Sequence, residues 1–417
     1  MAKSLSAAIA AALAVTLALP TTSAHADDSR GTQPTLVGRA VLPVETYAPG
    51  PPAGSFFAPA TINGITFPLP SQPVEGFSAI VAGRHPGEFL AMPDNGFGSK
   101  VNSRDFLIRA YYIRPDFKTA KGGSGEVDVD LDDFIEFRDP DGLIGFPIVM
   151  EGTTRRLLTG GDIDPESLQR GAHGDLWVGD EFGPWVLHFD ATGKLLDPPF
   201  PAPGGLRSPN NPHLGGATAT QPNSRGFEAM AISPDGKYLY PALEGATVAD
   251  LAAGEGTRRY VFEFSVRDEA FTGRVWLYRT EVAGHFVADM AALDRHHLVV
   301  IERDGGLGLN ALFRKVYVVN LTDIDAGFLV KTEAVDLAAV PDPDLISLPP
   351  IHAGDVGLGN PYRVTCESIE AIHPITGNRL LLGCDNNFPN TGRNPGRADD
   401  NEFIVVKAPS LRGGNGG

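Results

Sequence analysis

The chain has 417 residues, about three times the usual domain length, although one large repeat domain also fits. Hydrophobic residues at 42% supply a core, which excludes disorder and collagen-like structure, while 49 Gly and 35 Pro point to many turns. With 34 Lys+Arg against 51 Asp+Glu the net charge is −17, so the basic footprint of a nucleic-acid binder is missing and anionic lipid is disfavoured.

Lys3, an Ala/Leu/Val-rich run over residues 5–19 and Ala24-His25-Ala26 form a signal-peptide pattern with cleavage after Ala26. No later stretch reaches 18 apolar residues, so a secreted or periplasmic protein without integral membrane contact is expected. Residues 27–407 then read as a single domain, and residues 408–417, ending Gly413-Gly414-Asn415-Gly416-Gly417, as a flexible tail.

Five stretches of the mature chain share one plan: an acid, alternating apolar residues, a turn, and a second apolar run ending in acids. The leading acids are Glu75, Glu166, Glu228, Asp289 and Glu370. The second runs end at Asp94, at Asp180 and Glu181, at Glu244, at Glu302, and at Asp385. These runs are short, aromatic and β-branched, and Gly, Pro, Asp and Asn bound them, so they are predicted strands. Val275-Trp276-Leu277-Tyr278 and Phe134-Ile135-Glu136-Phe137 supply fourth strands for two of the units.

The fold class is therefore all-β. Two acid intervals of 62 and 61 residues suit one four-stranded propeller blade. At that spacing residues 35–407 hold close to six blades, with five or seven open. The 91 residues from Glu75 to Glu166 leave room for a degenerate blade around residues 127–137. Residues 36–41 are expected to pair with residues 402–406 and close the ring, which removes two exposed edges.

In a propeller the repeat acids converge about one axis, where like charges repel unless cations, arginines or protons compensate. Ca²⁺ suits such an oxygen-rich mouth outside the cell. The plainer alternative is that each acid caps its own turn. Glu166, Glu228, Glu370 and Asp385 are the candidates for catalytic roles; Glu75, Asp180, Glu181, Glu244, Asp289 and Glu302 are further metal-ligand candidates. Arg225 and Arg303 are candidates for gripping an anionic substrate. Cys366 and Cys384 are expected to form a disulfide in an oxidising compartment. No HExxH or G-x-S-x-G motif is present.

The segments Asp164-Pro165-Glu166-Ser167, Gly179-Asp180-Glu181-Phe182-Gly183-Pro184, Gly226-Phe227-Glu228-Ala229-Met230-Ala231 and Ile301-Glu302-Arg303-Asp304 form one set. Together with Ser368-Ile369-Glu370-Ala371-Ile372 and Asp385-Asn386-Asn387-Phe388, they resemble the phytase-like domain of secreted bacterial proteins, the family called "esterase-like activity of phytase". The resemblance spans residues 36–407 and implies a propeller and a hydrolase. The expected activity is metal-assisted attack of water on a small anionic or ester substrate, with a phosphate ester favoured, by a monomer. A calcium-dependent lactonase and a non-catalytic propeller that binds a carbohydrate, peptide or surface partner are the alternatives.

Overall fold

In the computed structural model, which describes residues 33–411, four-stranded antiparallel meanders follow one another along the chain. Sheet 1 comprises Phe77–Ala82, Phe89–Pro93, Arg109–Asp116 and Glu126–Glu136. Sheet 2 comprises Pro165–Arg170, Leu176–Asp180, Trp185–Phe189 and Phe200–Pro201. Sheet 3 is Phe227–Ile232, Tyr238–Leu243, Arg258–Ser265 and Ala270–Arg279. Sheet 4 is Phe286–Ala292, His297–Arg303, Arg314–Asp325 and Phe328–Asp336. Sheet 5 takes Ser368–Ile375, Arg379–Asp385 and Asn401–Lys407 from the end of the chain and Thr35–Leu42 from its start, and a parallel bridge from Val41 to Glu126 makes it continuous with sheet 1. The expected signal peptide lies outside the described residues. Of the expected tail, Ala408 is buried and Pro409–Leu411 form a 3-10 turn, and residues 412–417 lie outside the described residues.

The first strand of every sheet packs against the first strands of both neighbours, which closes a ring. In sheets 1, 3 and 4 these inner strands are buried on both faces along nearly their whole length and read as almost unbroken apolar runs. Outer strands such as Ala270–Arg279 face solvent along much of their length. Five separate hydrophobic cores lie between adjacent sheets. Leu90 and Met92 meet Val178 and Leu187 between sheets 1 and 2, and Trp177 meets Phe227 and Phe262 between sheets 2 and 3. Trp276 and Val300 share the next core, Val299 and Leu382 the one after, and Phe77 and Phe403 close the circle.

The expectation of six units is therefore corrected to five among the described residues. Residues 127–137 do not hide a blade. Glu126–Glu136 is the fourth strand of sheet 1, paired with Arg109–Asp116. The excess length beyond it is a loop whose Ile144, Phe146, Ile148 and Leu158 pack into the core between sheets 1 and 2.

Closure follows the expected pairing, with Val41 opposite Glu402 and Leu36 opposite Val406. A buried charge cluster fastens it. The Glu402 carboxylate accepts from Arg39 Nε on the partner strand and from Arg393 Nη2 at 2.7 Å. Arg393 Nη2 also donates to the Tyr362 hydroxyl at 2.8 Å. Cys366 and Cys384 form the expected disulfide and tie the entry of sheet 5 to its second strand.

Candidate functional site

Each inner strand carries a register shift at its start, and the shift sets the first tier of the site. The pairing skips between Phe77 and Ala79, Pro165 and Ser167, Phe227 and Ala229, Val287 and Met290, and Ile369 and Ala371. A bulge of this kind frees one residue from the in-and-out alternation and re-aims its side chain. The freed residues are Ser78, Glu166, Glu228, Asp289 and Glu370. Glu75 is therefore not the counterpart of the other acids. It precedes the strand, fully buried, and neither of its carboxylate oxygens has a hydrogen-bond partner.

The second tier is set by the residue that follows the partner of the pre-bulge position. It comprises Asp94, Glu181, Glu244, Arg303 and Asp385. All five line one cavity of about 360 Å³, together with Glu166, Glu228 and Glu370. Asp164, Glu367, Arg225, Asn95 and Phe286 complete much of the wall. Nine carboxylates thus share the cavity with two guanidiniums.

Four of the expected ligands lie outside the cavity: Glu75, and three others, two of which neighbour a cavity residue along a strand and so face the opposite way. Glu302, one residue before Arg303, is fully buried and accepts from the Tyr278 hydroxyl, Glu281 N and Lys331 Nζ at 2.7 Å each. It also faces His285 Nδ1 at 2.9 Å. Asp180, one residue before Glu181, accepts from the amides of Asp164 and Gly183. Asp289 occupies a bulge but has one methylene fewer than glutamate. Its carboxylate stays on the backbone, accepting from Met290 N at 2.7 Å and Ile372 N at 2.9 Å. None of the three lines the cavity.

The three bulge glutamates converge. Glu166, Glu228 and Glu370 place one carboxylate oxygen each within 4.8 Å of the others, and Asp94, Asp164 and Glu166 do the same, as do Glu181, Glu228 and Glu244. Asp164 is the residue that the repeat pattern missed. It lies two positions before Glu166, and its signal in the sequence is its place in the Asp164-Pro165-Glu166-Ser167 segment that carries the family resemblance. Glycines admit the close approach. A Cβ on Gly226 would lie 2.6 Å from Glu181 Cα, and the Gly226 amide donates to Glu181 Oε1 at 2.9 Å. Gly76, with φ at +72°, donates its amide to Asn386 Oδ1 and Asn401 Oδ1 and leaves room for Asp94 and Asp385.

The two arginines are paired with cavity acids. Arg225 Nη1 meets Glu244 Oε2 at 2.6 Å, and Arg303 Nη2 bridges Glu244 Oε1 at 3.1 Å and Glu370 Oε1. Among the described residues no ion pair reaches Glu166 or Glu228. Burial, followed by the neighbouring charges of Glu228, Asp164, Asp94 and Glu370, pushes the Glu166 carboxyl well above its usual range. Burial and then Glu370, Glu244 and Glu181 do the same to Glu228. Asp94 and Asp385 are raised in the same way, and Asp164 is pushed up to about 7, first by burial. Asp94 and Asp385 also accept from the amides of Gly96 and Asn387, each at 2.7 Å, so turn capping and cavity lining coexist at both.

No helix among the described residues is long and apolar enough to cross a membrane. A fungal protein from Arthroderma benhamiae, described as an uncharacterized secreted protein, is 26% identical over 228 residues. That alignment spans 43% of each chain, so this chain covers less than half of its relative. Among solved structures, a β-1,3-galactosidase of family GH43 aligns with 80% of this chain and 90% of its own, at 11% identity and a TM-score of 0.40. A luciferin-regenerating enzyme aligns with 81% and 78%, at 10% identity and a TM-score of 0.36. The sequence relationship goes further: a family model matches residues 72–388, three quarters of the chain and both tiers of the cavity except the closing strands. The chain belongs to the phytase-like family, described as the esterase-like activity of phytase.

Proposed function

We propose that the chain is an exported ester hydrolase whose acidic cavity holds a divalent cation. The observation that carries this reading is the convergence of Glu166, Glu228 and Glu370, two of them without a basic partner, in a cavity with nine acids and two arginines. The residues fit a hard cation on chemical grounds. Every candidate donor there is oxygen, and Asp164 Oδ1 is buried with no hydrogen-bond donor. Ca²⁺, which takes 6–8 oxygen ligands, suits that set. When bound, such an ion supplies Lewis-acid polarisation of the ester and offsets the charge of an anionic one.

The chain's own groups do the remainder. Glu370 is held in place by Arg303, and Glu244 by Arg225 and Arg303, so the wall is fixed before a substrate arrives. Burial and three carboxylate neighbours raise Glu228 in the cation-free cavity, so that carboxyl takes up a proton readily until a cation offsets the surrounding charge. Phe286, against which Arg225 and Arg303 both lie, gives the rim an apolar face. A phosphate ester is the substrate class first expected. One observation favours the neutral alternative, a carboxylic ester or lactone: both arginines are already spent on Glu244 and Glu370. Turnover of p-nitrophenyl phosphate, p-nitrophenyl acetate and a simple lactone, each with Ca²⁺ and with EDTA, tests both. Calcium-dependent turnover of any of them supports the reading, and its absence with all three leaves the non-catalytic binding module.

A further inference from the structure

We infer that a second metal site, suited to a borderline transition ion such as Zn²⁺, lies at the end of sheets 2 and 3 away from the acidic cavity and is formed by His188, Asp197 and Glu269. The strand Trp185–Phe189 starts at the cavity end, where Trp185 pairs with Asp180, and runs away from it to His188, which pairs with Trp177. His188 Nδ1 lies 2.9 Å from Asp197 Oδ2. Glu269 comes from sheet 3, at the hairpin between Arg258–Ser265 and Ala270–Arg279, and the three side chains each bring one ligand atom within 4.8 Å of the others.

What distinguishes this cluster from a chance surface group is how the imidazole is held. Its other nitrogen, Nε2, faces Asp175 Oδ2 at 3.2 Å, and that same oxygen accepts from Trp177 Nε1 at 2.8 Å. The ring stacks flat on Trp177, with centroids 3.8 Å apart and planes 6° from parallel. A metal-binding histidine characteristically gives its distal N–H to a carboxylate, which fixes the tautomer and aims the free lone pair. Asp175 is placed to take the Nε2 proton here, an arrangement that would leave the Nδ1 lone pair facing Asp197.

The donor set selects the ion. One imidazole and two carboxylates suit zinc and its neighbours, whereas calcium takes oxygen alone. Three protein ligands leave a fourth position to water. A cation binds Nδ1 only when that nitrogen is deprotonated, so any proton shared with Asp197 would leave to solvent on binding. Glu269 is exposed and Asp197 partly so, which leaves both free to close the small remaining distance. Because Glu269 belongs to a different sheet, the ion would clip sheets 2 and 3 together at their far ends.

The test is calorimetric titration of Zn²⁺ into the full chain in millimolar Ca²⁺, so that the acidic cavity is already occupied, with Co²⁺ absorption reporting nitrogen and oxygen ligation. One equivalent of zinc is expected to bind and to raise the melting temperature. Asp197→Asn and Glu269→Gln, both on accessible side chains, should abolish it, and Asp175→Asn should weaken it by about 10- to 100-fold. Glu228→Gln, in the acidic cavity, should leave it unchanged. Absence of zinc binding by the parent chain would overturn the inference, as would zinc binding that survives both Asp197→Asn and Glu269→Gln.

Discussion

Glu228 and Glu370 occupy the same bulge position in sheets 3 and 5, but only Glu370 has a guanidinium against it. The two should therefore behave alike in activity and differently in stability. Glutamine keeps the size and one acceptor oxygen and removes the charge, so both Glu228→Gln and Glu370→Gln are expected to abolish ester turnover. In EDTA, Glu228→Gln should melt higher than the parent, because it relieves repulsion, whereas Glu370→Gln should melt lower, because it strips Arg303 of a partner. Full activity in both would remove them from the site. Glu302→Gln should show the reverse pattern: four groups converge on that buried carboxylate, and losing its charge should cost about 1–3 kcal/mol while turnover persists at low temperature. Sequence spacing brought Glu302 and Arg303 forward together. Which of the two faces the cavity depends on register, and one residue of register turns a side chain to the other face.

At the scale of the strand, much of the fold was legible. Short β-branched and aromatic runs between Gly, Pro and Asp turns located the strands, and residues 36–41 and 402–406 were matched across almost the whole chain. The bulges were not legible, because a bulge is a relation between two strands and leaves no mark in either alone. That is why the repeat pattern points to Glu75 as the first repeat acid although Ser78 holds the position. The closing pair has its own test. Glu402→Gln leaves Arg39 and Arg393 buried without their charge partner and should destabilise by about 3–5 kcal/mol, read from urea unfolding. Burial opposes ionisation of Glu402, but Arg393 and Arg39 overcome it and hold the carboxyl at about 2. Its folded value lies below its ordinary one, so its contribution is complete above about pH 4.5 and is lost as pH falls through about 2. Replacing Cys366 and Cys384 by alanine should cost about 2–4 kcal/mol if loop-closure entropy dominates.

For the molecule as a whole, the acidic cavity makes an unusual pH prediction. Asp164 is raised from 3.8 to about 7, and Glu166, Glu228, Asp94 and Asp385 are raised as well. Folded carboxyls that hold protons which the unfolded chain releases lose stability as pH rises. In EDTA the melting temperature should therefore fall from about pH 4 to pH 7. The proposed Ca²⁺ would bind the ionised form and should reverse the slope, adding about 2.7 kcal/mol at a hundredfold excess over Kd. A melting temperature in EDTA that is flat or rises over that range would sink the prediction. Unit count was less legible at this scale than strand content. Repeat spacing measures chain length, and the loop after Glu126–Glu136 spends length without adding a sheet.

Thr35–Leu42 has an order-of-assembly consequence. It is among the first parts of the described chain to be synthesised, yet its antiparallel partner, Asn401–Lys407, is among the last. Sheets 2, 3 and 4 are each built from contiguous chain and can form as they emerge, whereas sheet 5 must wait. Until then the strand is held on one side only, by Lys118, Gly125 and Glu126. Its other edge is open and Arg39 lacks Glu402, so the nascent protein is an open arc with a sticky end. A chain stopped before Asn401 should therefore remain protease-sensitive and prone to associate. Supplying the missing segment as a separate peptide should restore protection, because the last strand acts as a latch whose slot is already made.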